Sequence, residues 1–186
     1  MSKNELDPHK PIILIANDND FILVQLRRLF RRKFNVITAE NGFEALMAVK
    51  ERPKTFFDAI LLDVQMPMLD GFEACSQIVS FLIGDNLAAV VSVGGTALSK
   101  CELCPQRSDL VGPQLPPIFV FTGDMSPSVL RRIEQSNFLK GFDAMRQQQV
   151  NEILQEVKAR KLMQEQVIRD DDIQDDNQDD IQDEEN

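Results

Sequence analysis

The chain has 186 residues, 43% of them hydrophobic, which suits one domain of ordinary size with its own core and something appended. Its net charge of −10 is gathered at one end: ten acidic residues and one basic lie between Arg169 and Asn186, and the rest is nearly neutral. That distribution excludes a broad basic surface for nucleic acid, and three cysteines behind a polar start argue against a secreted disulfide scaffold, so a cytoplasmic setting is expected.

Residues 1–10 read as an extension. Ile12 to Ala16 is short, branched and wholly apolar, the pattern of a strand buried on both faces. Asp20 is placed as the N-cap of a helix over Phe21 to Phe34, whose apolar positions recur at helical spacing while arginines 27, 28, 31 and 32 fill the other side. That arginine run reads as a solvated face rather than an import signal. Val36 to Thr38 is a second strand. Asn41 and Glu44 have capping-box spacing ahead of a helix that Pro53 ends, and Phe57 to Leu62 is a third strand. Phe72 to Leu82 is helical. The stretch Phe81 to Ser99 is fairly apolar, but it carries Asp85 and three glycines and lacks flanking anchors, so no membrane span is expected.

Residues 83–116 form an insertion far longer than the ~2–6 residues usual between α/β units. Its Cys101-Glu102-Leu103-Cys104 has CxxC spacing but no second pair, and the single histidine, His9, is distant, so chance spacing is favoured over a metal or redox site. Ile118 to Phe121 is a fourth strand, Ser126-Pro127 opens a fourth helix, Phe142 to Arg146 is a weak fifth strand, and Val150, Ile153, Leu154 and Val157 mark a last helix. Residues 161–186 are expected to be the helix end and a disordered acidic tail. Strand–helix repetition of this kind gives a flavodoxin-like, doubly wound five-stranded parallel sheet with order 2-1-3-4-5 and helices on both faces.

Ligands in such a fold sit at the carboxyl ends of the strands, where the sequence places Asp18, Asp63 and Thr122. Two carboxylates brought together repel unless a cation lies between them, and Mg²⁺ takes oxygen ligands. A carboxylate beside such an ion can attack a phosphoryl group in line.

The segment Asp63-Val64-Gln65-Met66-Pro67-Met68-Leu69-Asp70-Gly71 resembles the phosphoacceptor loop of response-regulator receivers, in which an Asp is followed by Met-Pro-x-x-Asp-Gly. Ile13 to Asp20 is similar to the family's first strand and acidic pair, and Thr122-Gly123 to its switch threonine. The resemblance spans residues 11–160 apart from the insertion. It implies that Asp63 accepts the phosphoryl group, that Asp18, Asp63 and the backbone carbonyl of Gln65 hold Mg²⁺, and that Thr122 contacts a phosphoryl oxygen. Two departures stand out. Asn17 replaces the first acid of the pair and is expected to reach the metal through water. Aligning Gly141-Phe142-Asp143-Ala144 with the family's Gly-x-Asp-Asp puts Gln148 at the usual lysine and Met145 at the usual aromatic, with Lys140 the lysine of the other register.

The implied function is that of a phosphoacceptor in a His-to-Asp relay, a signalling domain rather than an enzyme. A histidine kinase or phosphotransfer protein would be the donor, and a downstream protein would read the face around the fourth helix and fifth strand. With no output domain read after the receiver, it is expected either to act through partners or to be a fragment of a larger hybrid protein. The competing reading is a degenerate receiver that binds partners without phosphorylation, favoured by Asn17, Gln148 and Met145 and opposed by Asp18, Asp63 and Thr122. A flavin carrier of the same fold fits poorly, since the chain has neither Trp nor Tyr to stack on the ring.

Overall fold

The computed structural model describes residues 6–84 and 115–179. Five strands and five helices alternate: β1 (Ile12–Ala16), α1 (Asp20–Phe30), β2 (Asn35–Ala39), α2 (Gly42–Lys50), β3 (Ala59–Leu62), α3 (Gly71–Ile83), β4 (Ile118–Phe121), α4 (Pro127–Glu134), β5 (Lys140–Phe142) and α5 (Gln147–Asp179). All strand pairs are parallel and the order is β2-β1-β3-β4-β5, as the repeating pattern predicts.

The period of two along each strand divides the core between two layers. Leu14, Ile60, Leu62 and Val120 face one side and pack under α2, α3 and α4 through Leu46, Ile78 and Ile133. Ile13, Ile15, Leu61 and Phe119 face the other and meet Leu26 and Phe30 of α1 and Val150, Ile153 and Val157 of α5. Each residue of β3 is therefore buried, on one face or the other.

The structure moves several boundaries. The N-cap of α1 is Asn19, not Asp20: Asn19 Oδ1 accepts the N–H groups of Phe21 and Ile22 at 3.0 and 3.2 Å. That helix stops at Phe30 instead of Phe34, because the chain turns so that Phe34 tucks beside Phe30, ring centres 5.6 Å apart. β3 begins at Ala59, two residues later than expected, after a turn closed by the Phe56 N–H on Pro53 O. The Asn41–Glu44 box forms: Asn41 Oδ1 accepts the Glu44 N–H at 2.8 Å, and Glu44 returns bonds to Glu40 N–H and the Asn41 amide. Ser126 stands at the cap position of α4 with Pro127 after it, but its hydroxyl pairs with Ser128 Oγ instead of capping.

The largest correction concerns β5. Lys140, Gly141 and Phe142 pair with Phe119, Val120 and Phe121, so the strand ends where it was expected to begin. The Thr122 N–H donates to Phe142 O at 3.0 Å, and Arg146, placed at the strand's far end by sequence, already donates its N–H to Gln149 Oε1 at the start of α5. Burial decides this register: Phe142 fills the layer against Phe119, their ring centres 5.9 Å apart.

At its far end α5 continues to Asp179, into the acidic segment expected to lack structure; extending a helix that is already nucleated costs little per residue. Cys101 and Cys104, most of the insertion, and residues 180–186 lie outside the described residues. Among the described residues no helix is long and apolar enough to cross a membrane.

Candidate functional site

The central strands deliver the site. Main-chain bonds continue past their ends: the Asn17 N–H donates to Ala39 O at 3.2 Å and the Asp63 N–H to Ala16 O at 2.9 Å. Asn17 and Asp18 thereby leave β1 beside the point where Asp63 leaves β3, and Thr122 leaves β4 next to it. Asn17 and Thr122 are buried and Asp18 is exposed.

Asn17 makes a direct side-chain contact with the acceptor carboxylate. Its Nδ2 donates to Asp63 Oδ2 at 2.8 Å, while its Oδ1 accepts the Asn19 N–H at 2.9 Å. A backbone N–H can only donate, so the second bond fixes which end of the amide faces Asp63: the NH₂ end. The expected approach of Asn17 to a metal through water would need an acceptor there, and the side chain offers a donor.

Burial pushes the Asp63 carboxyl above the ordinary value of 3.8. The backbone N–H groups of Val64 and Gln65 work against that shift, the charge of Asp18 adds to it, and the Asn17 amide relieves it. The pocket so formed contains two carboxylates of like charge; among the described residues no group of three His, Cys, Asp or Glu side chains gathers to hold a metal.

The loop after Asp63 is held from below. Val64 and Met66 are buried, and the Gly71 N–H donates to Val64 O at 3.0 Å. Gly71 lies flat against the Asp63 main chain: a Cβ there would strike the Asp63 carbonyl oxygen and come within 3.0 Å of Val64 Cα, so only glycine closes this turn. Met68 takes a left-handed conformation, φ 66°, with the Leu69 N–H on Pro67 O at 2.7 Å, a γ-turn that leaves its side chain 76% exposed. Asp70 then caps α3, Oδ1 accepting the Glu73 N–H at 2.8 Å.

A clamp joins this loop to α4. The Arg132 guanidinium lies over the Phe72 ring at 3.9 Å, with Nη2 3.9 Å from Asp70 Oδ2, and Phe72 meets Phe138 edge-on at 5.5 Å. Nothing in the spacing of these residues signals the contact, which needs the α3–α4 geometry. The Asn17 contact carries a faint signal, since Asn17-Asp18-Asn19 is the spacing at which a side-chain oxygen meets a backbone N–H two residues on.

Gln148 does not reach the strand end. It lies in the first turns of α5, exposed, with Nε2 3.4 Å from Glu152 Oε1. Lys140 opens β5 and is committed to the same carboxylate, Nζ to Glu152 Oε2 at 2.7 Å, a bond that holds Glu152 below its ordinary value. Met145 packs into the α1–α5 layer. The residue that follows Phe142, and so leaves β5 beside Thr122, is Asp143.

The response regulator receiver domain family matches residues 13–93. Chemotaxis protein CheY of Halobacterium salinarum is 34% identical over 83 residues, 44% of this chain and 67% of that protein. Response regulator MprA of Mycobacterium avium is 39% identical over 90 residues, 47% of this chain but 37% of the longer relative. Among solved structures, the receiver domain of the sensor histidine kinase PA1611 of Pseudomonas aeruginosa, which has a magnesium ion in its active-site cleft, superposes with a TM-score of 0.54 over 79% of this chain and 96% of that one. At 19% identity it speaks for the fold alone. The family match over residues 13–93 takes in the end of β1 and the loop after Asp63, and with the archaeal relative matched over two thirds of its length at 34% identity, this chain belongs to the response-regulator receiver family.

Proposed function

We propose that the chain accepts a phosphoryl group on Asp63 from a phosphohistidine-bearing kinase or phosphotransfer protein, and signals by changing the face around α4 and β5. The observation that carries this reading is the Asp63 carboxylate itself: at a carboxyl-end strand terminus, oriented by Asn17, beside Asp18 and next to Thr122. In the transfer an Asp63 oxygen forms a bond to phosphorus as the donor's P–N bond breaks. The electron pair leaves with the imidazole nitrogen, which takes up a proton. The Thr122 hydroxyl, now accepting the Asp124 N–H at 3.2 Å, still has its proton to donate to a phosphoryl oxygen.

The donor set suits a hard, partly hydrated cation: the Asp18 and Asp63 carboxylates and the Gln65 carbonyl are all oxygen, and the two carboxylates repel without one. Mg²⁺ bound there supplies positive charge to the phosphoryl oxygens, as magnesium in the cleft of the Pseudomonas receiver suggests. Around this pole Phe21, Phe43 and Met68 expose apolar surface at the starts of α1 and α2 and in the acceptor loop, a ring on which a donor protein would seat. The expected setting is cytoplasmic.

The test is mass measurement after incubation with acetyl phosphate and Mg²⁺. The wild type is expected to gain one phosphoryl group and Asp63→Asn none. A wild type that gains nothing would overturn the reading and leave a receiver that binds partners without phosphorylation.

A further inference from the structure

Asn17 stands where a contact to the metal through water is expected, and in this chain its amide faces the acceptor carboxylate. We propose that Asn17 is a positioning residue for the acceptor, its amide N–H fixing the rotation of the Asp63 carboxylate so that attack is oriented by this contact. The inference rests on the phosphoacceptor reading above and concerns a single contact within it.

Three observations carry it. First, the amide is aimed: Oδ1 is held by the Asn19 N–H, which leaves Nδ2 2.8 Å from Asp63 Oδ2. Second, the side chain is only 1% exposed, so water does not compete for that bond. Third, Asn17 and Asp63 are tied through the main chain to Ala39 O and Ala16 O, so the contact has no slack at either end. A carboxylate whose rotation is set before a donor arrives loses less freedom on reaching the in-line geometry, and the effect appears in the rate of phosphorylation. An acid in this place would instead turn a second negative charge towards Asp63, an arrangement that only a cation relieves.

The two roles separate by experiment on the full chain. Mg²⁺ binding is followed by titration with side-chain and backbone NMR, without any phosphodonor, and phosphorylation by acetyl phosphate is followed by mass at saturating Mg²⁺. Asn17→Ala is expected to leave the Mg²⁺ dissociation constant within about twofold and to slow phosphorylation at saturating Mg²⁺ by about tenfold, the scale of one lost hydrogen bond to a charged group. Asn17→Asp, which keeps the volume, is expected to tighten Mg²⁺ by about tenfold by adding a third carboxylate. If Asn17→Ala fails to fold, judged by circular dichroism, the Asp variant and Asn17→Ser carry the test with the same expectations for charge and for the lost amide.

The proposal is overturned if removing the amide weakens Mg²⁺ about tenfold while the saturated rate stays unchanged, or if Asn17→Asp leaves Mg²⁺ affinity where it was. Failure of the underlying reading looks different: the wild type itself then takes no phosphoryl group at any Mg²⁺ concentration.

Discussion

Asp63 gives up water on entering the fold and keeps a like charge, Asp18, nearby, so its native carboxyl holds its proton to a higher pH than in the unfolded chain. The native state then binds more protons than the unfolded one between 3.8 and the raised native value, and across that window stability falls as pH rises. At neutral pH the acceptor is a local cost to the fold. Asp63→Asn, which removes the charge and keeps an oxygen to accept from Asn17, is therefore expected to be more stable than the wild type. The gain is on the order of 1 kcal/mol or less, because a half-exposed carboxylate is screened by solvent. The check is the difference between the two proteins' urea midpoints at pH 7 and again well below pH 3.8, where both states of the wild type are protonated and the gain should vanish. A constant difference at both pH values would mean that packing, not charge, separates them.

Helices and strands carry the coupling between this carboxylate and the rest of the domain. Arg132 is the one side chain of α4 that touches both Phe72 and Asp70 in the contacts described, and Asp70 already caps α3. Its ion pair is long and half exposed and contributes little; the guanidinium on the ring is the larger part. Arg132→Ala is expected to cost about 0.5–1 kcal/mol and to speed amide exchange in α4 more than in α2. Uniform exchange changes in both helices would deny the clamp. Elements of this length also decided what was legible in the sequence. The buried runs at Ile12, Ala59 and Ile118 could be read directly, because a strand covered on both faces leaves no polar alternation to misplace. β5 has three residues, one of them glycine, and its partner is set by where Phe142 fits against Phe119, a fact about packing across the sheet. Hence the alignment that puts Gln148 at the usual lysine meets a helix there, and the position of Asp143 beside Thr122 follows only from the strand register. The acceptor loop was legible because Gly71 and Asp70 each answer a local backbone demand; the direction of the Asn17 amide depends on one N–H two residues away.

Across the whole molecule the two ends of the sheet divide the work. Asp63, Asp18 and Thr122 lie at the carboxyl ends. At the amino ends Asp58 accepts the Ile12 N–H at 2.7 Å and pairs with Lys161 at 2.7 Å, while Arg160 reaches Leu115 O at 3.3 Å. Leu115 and Pro117 line a small cavity there with Thr55, Phe57 and Arg160, so the insertion rejoins the domain at the amino-end pole, away from the acceptor. Deleting residues 86–112 is accordingly expected to change the rate of phosphorylation by less than about threefold, since the site is built from strand ends this deletion does not touch. A large loss, measured by mass with acetyl phosphate, would place part of that segment's influence on the site.

The division of the core into two layers has a consequence for how the chain is made. The layer under α2, α3 and α4 draws on residues up to Phe138, whereas the layer under α1 needs Val150, Ile153 and Val157. As the polypeptide leaves the ribosome, the first layer has all of its parts while the second still lacks α5. Ile13, Ile15, Leu61 and Phe119 then have only α1 over them, and the part of this hydrophobic face that Val150, Ile153 and Val157 cover awaits the last-made helix. A chain cut short before α5 would therefore keep the layer under α2, α3 and α4 whole and leave part of the other layer exposed to water, so the last helix is where truncation turns a folded domain into one prone to association.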